Sequence, residues 1–186
     1  MQKFNVCVIL AGGKSSRMGQ DKTLLPFGRE PSMTHFLAKK MEQIFKEIYI
    51  SSKSQKFNPP LGILTDDSDD FSPMLALACI LEKFDDSVFI MPADMPFVSI
   101  ECVNELAKFK DEFDVVVARD AKHRHSLCGF FNPKIANQAR GLYEKGEHKI
   151  GLLLSANSLK EVYFDDSSQF VNVNNPDEYE RALNAL

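Results

Sequence analysis

The sequence predicts an α/β fold, a three-layer α/β/α sandwich around a mostly parallel sheet. Two short apolar runs, Val6-Cys7-Val8-Ile9-Leu10 and Val88-Phe89-Ile90-Met91, are of the kind that is covered on both faces of a parallel sheet. Between and after them, apolar residues recur at helical spacing, so strand and helix signals alternate. Over the 186 residues there is no repeat, low-complexity linker or break in composition. That fits one domain spanning residues 1–186.

Each element has a local reason. Ser32 is placed to cap a helix in which Met33, Phe36, Leu37, Met41, Ile44 and Phe45 share a face. Glu47 to Ser51 reads as the second strand, followed by a polar stretch from Ser52 to Pro60, then Ile63-Leu64 and the acidic run 66–70. Pro73 opens a very apolar helix through Leu81. The Val88–Met91 strand leads through a turn to a helix from about Ser99 to Phe109, and Asp114 to Ala118 supplies another strand. In the second half, Leu127 to Phe131 reads as a strand and Asn132-Pro133 starts a helix that stops at Gly146. Lys149 to Leu154 form a short apolar helix, and Val162-Tyr163-Phe164 and Phe170-Val171 return to strand. Asn175 as N-cap, Pro176 at the first position and Glu178 in a capping box mark the final helix.

Composition narrows the function classes. With 44% hydrophobic and 26% charged residues the chain is ordinarily globular. A formal net charge of −4 and an isoelectric point near 5.6 argue against broad binding of nucleic acid or anionic membrane. No apolar stretch approaches the roughly 20 residues of a membrane helix. Met1-Gln2-Lys3-Phe4 runs straight into the first strand, leaving no room for a signal peptide. Cys7, Cys79, Cys102 and Cys128 are dispersed without a C-x-x-C pair, as expected of reduced thiols in a cytoplasmic protein.

The chemistry begins where the first strand breaks into Ala11-Gly12-Gly13-Lys14-Ser15-Ser16-Arg17-Met18-Gly19-Gln20-Asp21-Lys22. Gly12 and Gly13 let backbone N–H groups approach a ligand, and successive amides make an anion-binding concavity. Lys14, Arg17 and Lys22 surround it with positive charge, opposed only by Asp21. The expected ligand is phosphate, with Arg17 and Lys22 on a triphosphate and Lys14 either there or simply solvated. The loop is not a Walker motif, since Val8 stands where the first glycine belongs, and adjacent Gly12 and Gly13 break the G-x-G-x-x-G spacing.

Two further groupings fall after strands, where open α/β sheets bind ligands. In Pro92-Ala93-Asp94-Met95-Pro96 a carboxylate is held between two prolines. Nucleotide-site Mg²⁺ takes one or two carboxylates plus phosphates and water, which makes Asp94 the metal ligand; the alternative is a local Asx turn. In Phe170-Val171-Asn172-Val173-Asn174-Asn175-Pro176, strand alternation puts Asn172 and Asn174 on one side. There they either bind a ligand or tie down the turn before the last helix. His123, Arg124 and His125, with Arg119 upstream, either receive a second substrate's phosphate or form a surface turn. No nucleophile–base pairing suggests covalent catalysis.

The pattern Leu-Ala-Gly-Gly-x-x-x-Arg-Met-Gly-x-Asp-Lys at residues 10–22 resembles the signature of nucleotidyltransferases with a Rossmann-like fold. It most resembles the molybdenum cofactor guanylyltransferases, as do Asp94-Met95-Pro96 and the Asn-x-Asn-x-Pro ending at 172–176. The resemblance implies transfer of GMP from GTP to the terminal phosphate of molybdenum-molybdopterin with Mg²⁺ and release of pyrophosphate. It implies that Leu10, Ala11, Gly12, Gly13, Lys22, Asp66 and Asp94 bind nucleotide, with Asp67 second to Asp66. It also implies Arg17, Lys22 and Asp94 as catalytic residues, Asn172 and Asn174 toward the pterin, and transient contact with cofactor-biosynthesis or acceptor molybdoenzymes. Where the family shows Gly-Pro-Leu-Ala-Gly, this chain has Ser72-Pro73-Met74-Leu75-Ala76, and Ser52-Lys53 stands where an Asn is common. A CTP-dependent enzyme acting on the same pterin and a non-catalytic nucleotide or pterin carrier are the competing readings.

Overall fold

β1 (Phe4–Leu10) runs through the middle of the molecule with its side chains divided between two cores. Val6 and Val8 enter one, Cys7 and Ile9 the other. The computed structural model describes residues 3–12, 21–65, 68 and 70–186. Among these, β1, β2 (Phe45–Ser51), β3 (Ile63–Leu64), β4 (Val88–Pro92), β5 (Val115–Arg119), β6 (Arg124–Phe131) and β7 (Leu159–Tyr163) form one sheet in the order β3-β2-β1-β4-β6-β5-β7. Every neighbouring pair is parallel except those that β6 makes with β4 and β5. The expected sandwich with a mostly parallel sheet is therefore the observed one.

α1 (Met33–Met41) and α3 (Ile100–Ala107) cover the face carrying Cys7, Ile9, Phe89 and Met91. α2 (Pro73–Leu81), α4 (Ala136–Glu144) and α5 (Ile150–Ser155) cover the face carrying Val8, Ile90 and Val117. α6 (Pro176–Asn184) closes a third, smaller cluster in which Ala182 meets Phe27, Met33 and Val173. All four cysteines are buried and free, and burial pushes the Cys102 thiol up to about 12. Among the described residues no helix is long and apolar enough to cross a membrane.

Several boundaries moved for tertiary reasons. α1 stops at Met41, and Ile44 and Phe45 leave the helix. Phe45 instead pairs with Phe4 across β1 and β2 and stacks on Phe89 at 5.6 Å, a gain that outweighs its fit to the helical repeat. β6 begins at Arg124, three residues before the apolar run, because Asp120 closes a tight hairpin by accepting from the amides of Lys122 (2.8 Å) and His123 (2.7 Å). Phe170 is not in a strand. It ends a 3₁₀ turn over Ser167–Phe170 that Asp166 caps through the Ser168 amide, and it is buried between Phe164 and His125. The last helix is capped by Asn175 as expected, but Glu178 reaches back to the Asn174 amide (2.7 Å), one residue before the capping-box position.

The β5–β6 register jumps from Val117↔Gly129 to Ala118↔His125, and Gly129 sits at that irregularity. A Cβ there would lie 1.9 Å from the Val116 carbonyl oxygen, so only glycine fits. Gly129→Ala is expected to destabilise by roughly 3 kcal/mol, with backbone rather than a side chain forced to shift. Thermal unfolding should then occur about 6–12 °C lower. Gly141 in α4 has nothing within 4 Å of its would-be Cβ, so Gly141→Ala is expected to raise the midpoint. The same thermal melts check both.

Candidate active site

β1 and β4 are adjacent and parallel, and the chain leaves them in opposite directions along the sheet order. Their carboxyl ends therefore border the crevice in which α/β sheets bind ligands. Leu10 is in register with Pro92, and the ladder continues past both strands. The Ala93 amide donates to the Leu10 carbonyl at 3.0 Å, and the Ala11 amide to the Ser51 carbonyl at 3.0 Å. Ala11 and Ala93 are buried, whereas Gly12 is exposed, and among the described residues a Cβ on it would meet only the Ser51 oxygen, at 4.0 Å.

Lys22 stands over this crevice. Its Nζ donates to Asp94 Oδ2 at 2.7 Å and to Asn174 Oδ1 at 2.6 Å. The side chains of Lys22 and Asp94 are only 17% and 21% exposed, so this is a largely desolvated pair held by an added hydrogen bond. Each partner is itself fixed. Lys22 opens a 3₁₀ turn (Lys22–Leu24) capped by Asp21, whose Oδ1 accepts from the Thr23 amide and hydroxyl. That turn is docked on α1 by Thr34 Oγ1 donating to the Thr23 carbonyl at 2.9 Å. Asp94 lies in the turn after β4, and its carbonyl accepts from the Val173 amide at 2.8 Å. Asn174 is held by Glu178 at the start of α6.

Residues 7–161 match the MobA-like NTP transferase domain. The chain belongs to the MobA-like NTP transferase family. A molybdenum cofactor guanylyltransferase of Campylobacter jejuni (strain 81116) is 40% identical over 187 residues, covering 97% of this chain and 96% of the relative. One of Helicobacter pylori (strain G27) is 30% identical, covering 97% and 92%. The chain has the fold of the molybdopterin-guanine dinucleotide biosynthesis protein A of Archaeoglobus fulgidus, with a TM-score of 0.81 at 19% identity and 97% of both chains covered.

As a MobA-like nucleotidyltransferase the chain brings Lys22, Asp94 and Asn174 into contact, and sets Leu10, Ala11 and Gly12 beside them. Asn172 is exposed on the same segment. Gly13, Lys14, Arg17, Asp66 and Asp67 lie outside the described residues. Among the described residues no cluster of three or more His, Cys, Asp or Glu is arranged to hold a metal. Lys53 donates to the Ser68 carbonyl and lies 5.5 Å over the Phe71 ring. Ser72, in place of the family's first glycine, is the N-cap of α2 and bonds His148 at 3.0 Å.

Two roles escaped local reading. Asp21, read as an opposing charge, is the cap that orients Lys22. Lys56 reaches both Asp21 and Ala11 from a polar stretch whose composition gives no hint of it. The basic cluster surrounds the hairpin turn between β5 and β6, where His123 is exposed, and its neighbouring cations are engaged by carboxylates. Arg119 and Arg124 both pair with Glu161 on β7, at 2.6 and 3.1 Å. His125 bonds Asp120 at 3.2 Å and stacks on Phe170 at 4.3 Å, with its side chain 8% exposed.

The amides of His123 and Lys122, then His125, hold the Asp120 carboxyl down at about 2. A depressed carboxyl contributes stability that is complete above its unfolded value near 4 and is lost as pH falls through the folded one. Thermal melts from pH 5 to pH 2 are therefore expected to show a steeper acid decline for the parent than for Asp120→Asn, with the parent's extra loss concentrated between about pH 4 and pH 2.

Proposed function

We propose that this single domain, residues 1–186, transfers GMP from GTP to the terminal phosphate of molybdenum-loaded molybdopterin and releases pyrophosphate. The convergence of Lys22, Asp94 and Asn174 at the mouths of β1 and β4 carries this reading. The names of the relatives at 40% and 30% identity supply the choice of nucleotide and acceptor.

The chemistry asks little acid–base work of the protein. An acceptor phosphate oxygen is already a nucleophile at neutral pH. It attacks the α-phosphorus of GTP, the bond from that phosphorus to the α,β-bridging oxygen breaks, and pyrophosphate leaves with the bond's electron pair. Catalysis then rests on positioning and charge neutralisation. Lys22 lies beside the carboxylate and places its charge where the triphosphate would lie, and Arg17 shares that role. The exposed Gly12 leaves its backbone open to the nucleotide alongside Leu10 and Ala11, with Gly13 continuing the loop and Asp66 contributing from the acidic run. Asn174, and Asn172 beside it, offer carboxamides to the pterin or its phosphate.

The donor set suits Mg²⁺ at Asp94, since nucleotide-site Mg²⁺ takes few protein ligands and completes its shell with phosphates and water. When bound, Mg²⁺ would neutralise phosphate charge during the transfer. Lys22 pairs with one carboxylate oxygen, Oδ2, and so orients the group that would hold the ion.

The test is Mg²⁺-dependent pyrophosphate release with molybdenum-loaded molybdopterin and GTP, CTP, ATP or UTP in turn. Release with GTP alone is expected. Release with CTP alone would make the enzyme a cytidylyltransferase, and nucleotide binding without release would make it a carrier. Lys22→Ala and Asp94→Asn are each expected to lower turnover by about 10²–10³-fold, the scale seen when one transition-state contact is removed.

A further inference from the structure

Lys56 lies in the β2–β3 connection, far in sequence from the glycine-rich loop, yet touches both of that loop's ends. Its Nζ donates to the Ala11 carbonyl at 3.0 Å and to Asp21 Oδ2 at 2.6 Å. We propose that Lys56 is a positioning residue that clamps Ala11 to Asp21 and so sets the aim of Lys22. The inference rests on the nucleotidyltransferase reading and adds a residue to its machinery.

Both clamped points are otherwise fixed, so the clamp transmits position. Ala11 is 2% exposed and its amide is bonded to Ser51 at the end of β2. Asp21 uses its other oxygen, Oδ1, to cap the turn that carries Lys22. Lys56 therefore connects the end of β1 to the residue that orients the Lys22 ammonium toward Asp94 and Asn174. Its own base is firm as well. The next residue, Phe57, is 4% exposed in the main core and meets the His35 ring edge-on. Gln55 spans the connection, accepting from the Phe57 amide and donating to the Leu61 carbonyl at 2.8 Å.

The electrostatics agree with the geometry. Burial alone would raise the Asp21 carboxyl, but hydrogen bonds from Lys56 and Thr23 and the Lys56 charge bring it below its ordinary value. The Lys56 and Asp21 side chains are 23% and 31% exposed, less than a pair of free surface charges. An ammonium has three donors, and two are spent on the two ends of one loop.

The experiment is calorimetric titration of the full chain with GTP and Mg²⁺ in the absence of pterin, alongside thermal melts. Lys56→Met is expected to weaken GTP binding about tenfold, while Lys56→Arg, which restores the charge and reach, stays within about threefold. Asp21→Asn keeps the cap and removes the ion pair, and is expected to weaken binding similarly. The double variant Asp21→Asn/Lys56→Met should be no weaker than the worse single one, as coupled partners require. Parent-like binding by Lys56→Met would overturn the clamp. So would multiplying losses in the double variant, or a Lys56→Met defect that Lys56→Arg does not relieve. A parent protein that binds none of the four nucleoside triphosphates would instead overturn the proposed function, and the clamp with it.

Discussion

The Lys22 ammonium joins three segments that are remote along the chain, meeting Asp94 and Asn174, which lie 72 and 152 residues further on. A strongly hydrated cation is costly to desolvate, and this one is largely shielded, so both oxygens must be in place for it to rest there. That demand reaches back into the architecture. The parallel pairing of β1 with β4 brings Leu10 level with Pro92, and the turn after each strand then faces the other. Asp21, Val173 and Glu178 each fix one arm of the cluster through a hydrogen bond to backbone.

The C-terminal segment belongs to the site as much as the loop after β1 does. The match to the MobA-like domain ends at residue 161, yet Asn174 lies beyond it. Phe170 seats this segment between Phe164 and His125, Val173 is buried with Phe27 and Met33, and Asn175 starts α6. The Asp120–His125 pair thereby supports the segment that carries the carboxamide. The paired Arg119, Arg124 and Glu161 tie β5, β6 and β7 together at the same edge of the sheet.

The two cores explain why the mostly parallel sheet holds its one reversed strand. Phe130 on β6 packs against Phe89 on β4 at 5.0 Å and against Phe4 on β1 at 5.7 Å, so β6 contributes to the same aromatic layer as its parallel neighbours. Its fit between β4 and β5 depends on the missing side chain at Gly129. Backbone space and aromatic packing, more than strand direction, decide the middle of this sheet.

The sequence by itself determined the fold class, the buried strands β1 and β4, and the caps at Ser32 and Asn175. Those features arise from local rules, namely side-chain periodicity, caps that satisfy the first amides, and proline at the first turn. It also marked Lys22, Asp94 and Asn174, because each lies in a short motif at the end of an element. Tertiary structure decided the rest. The exit of Phe45 from the helix and the turn at Phe170 were settled by ring packing against residues distant in sequence. The reversal of β6 appears in no periodicity, since alternation reads the same in either direction. Lys56 carried no local signal at all. Its part depends on which oxygens lie within reach of a flexible ammonium, and only the folded chain brings Ala11 and Asp21 to it.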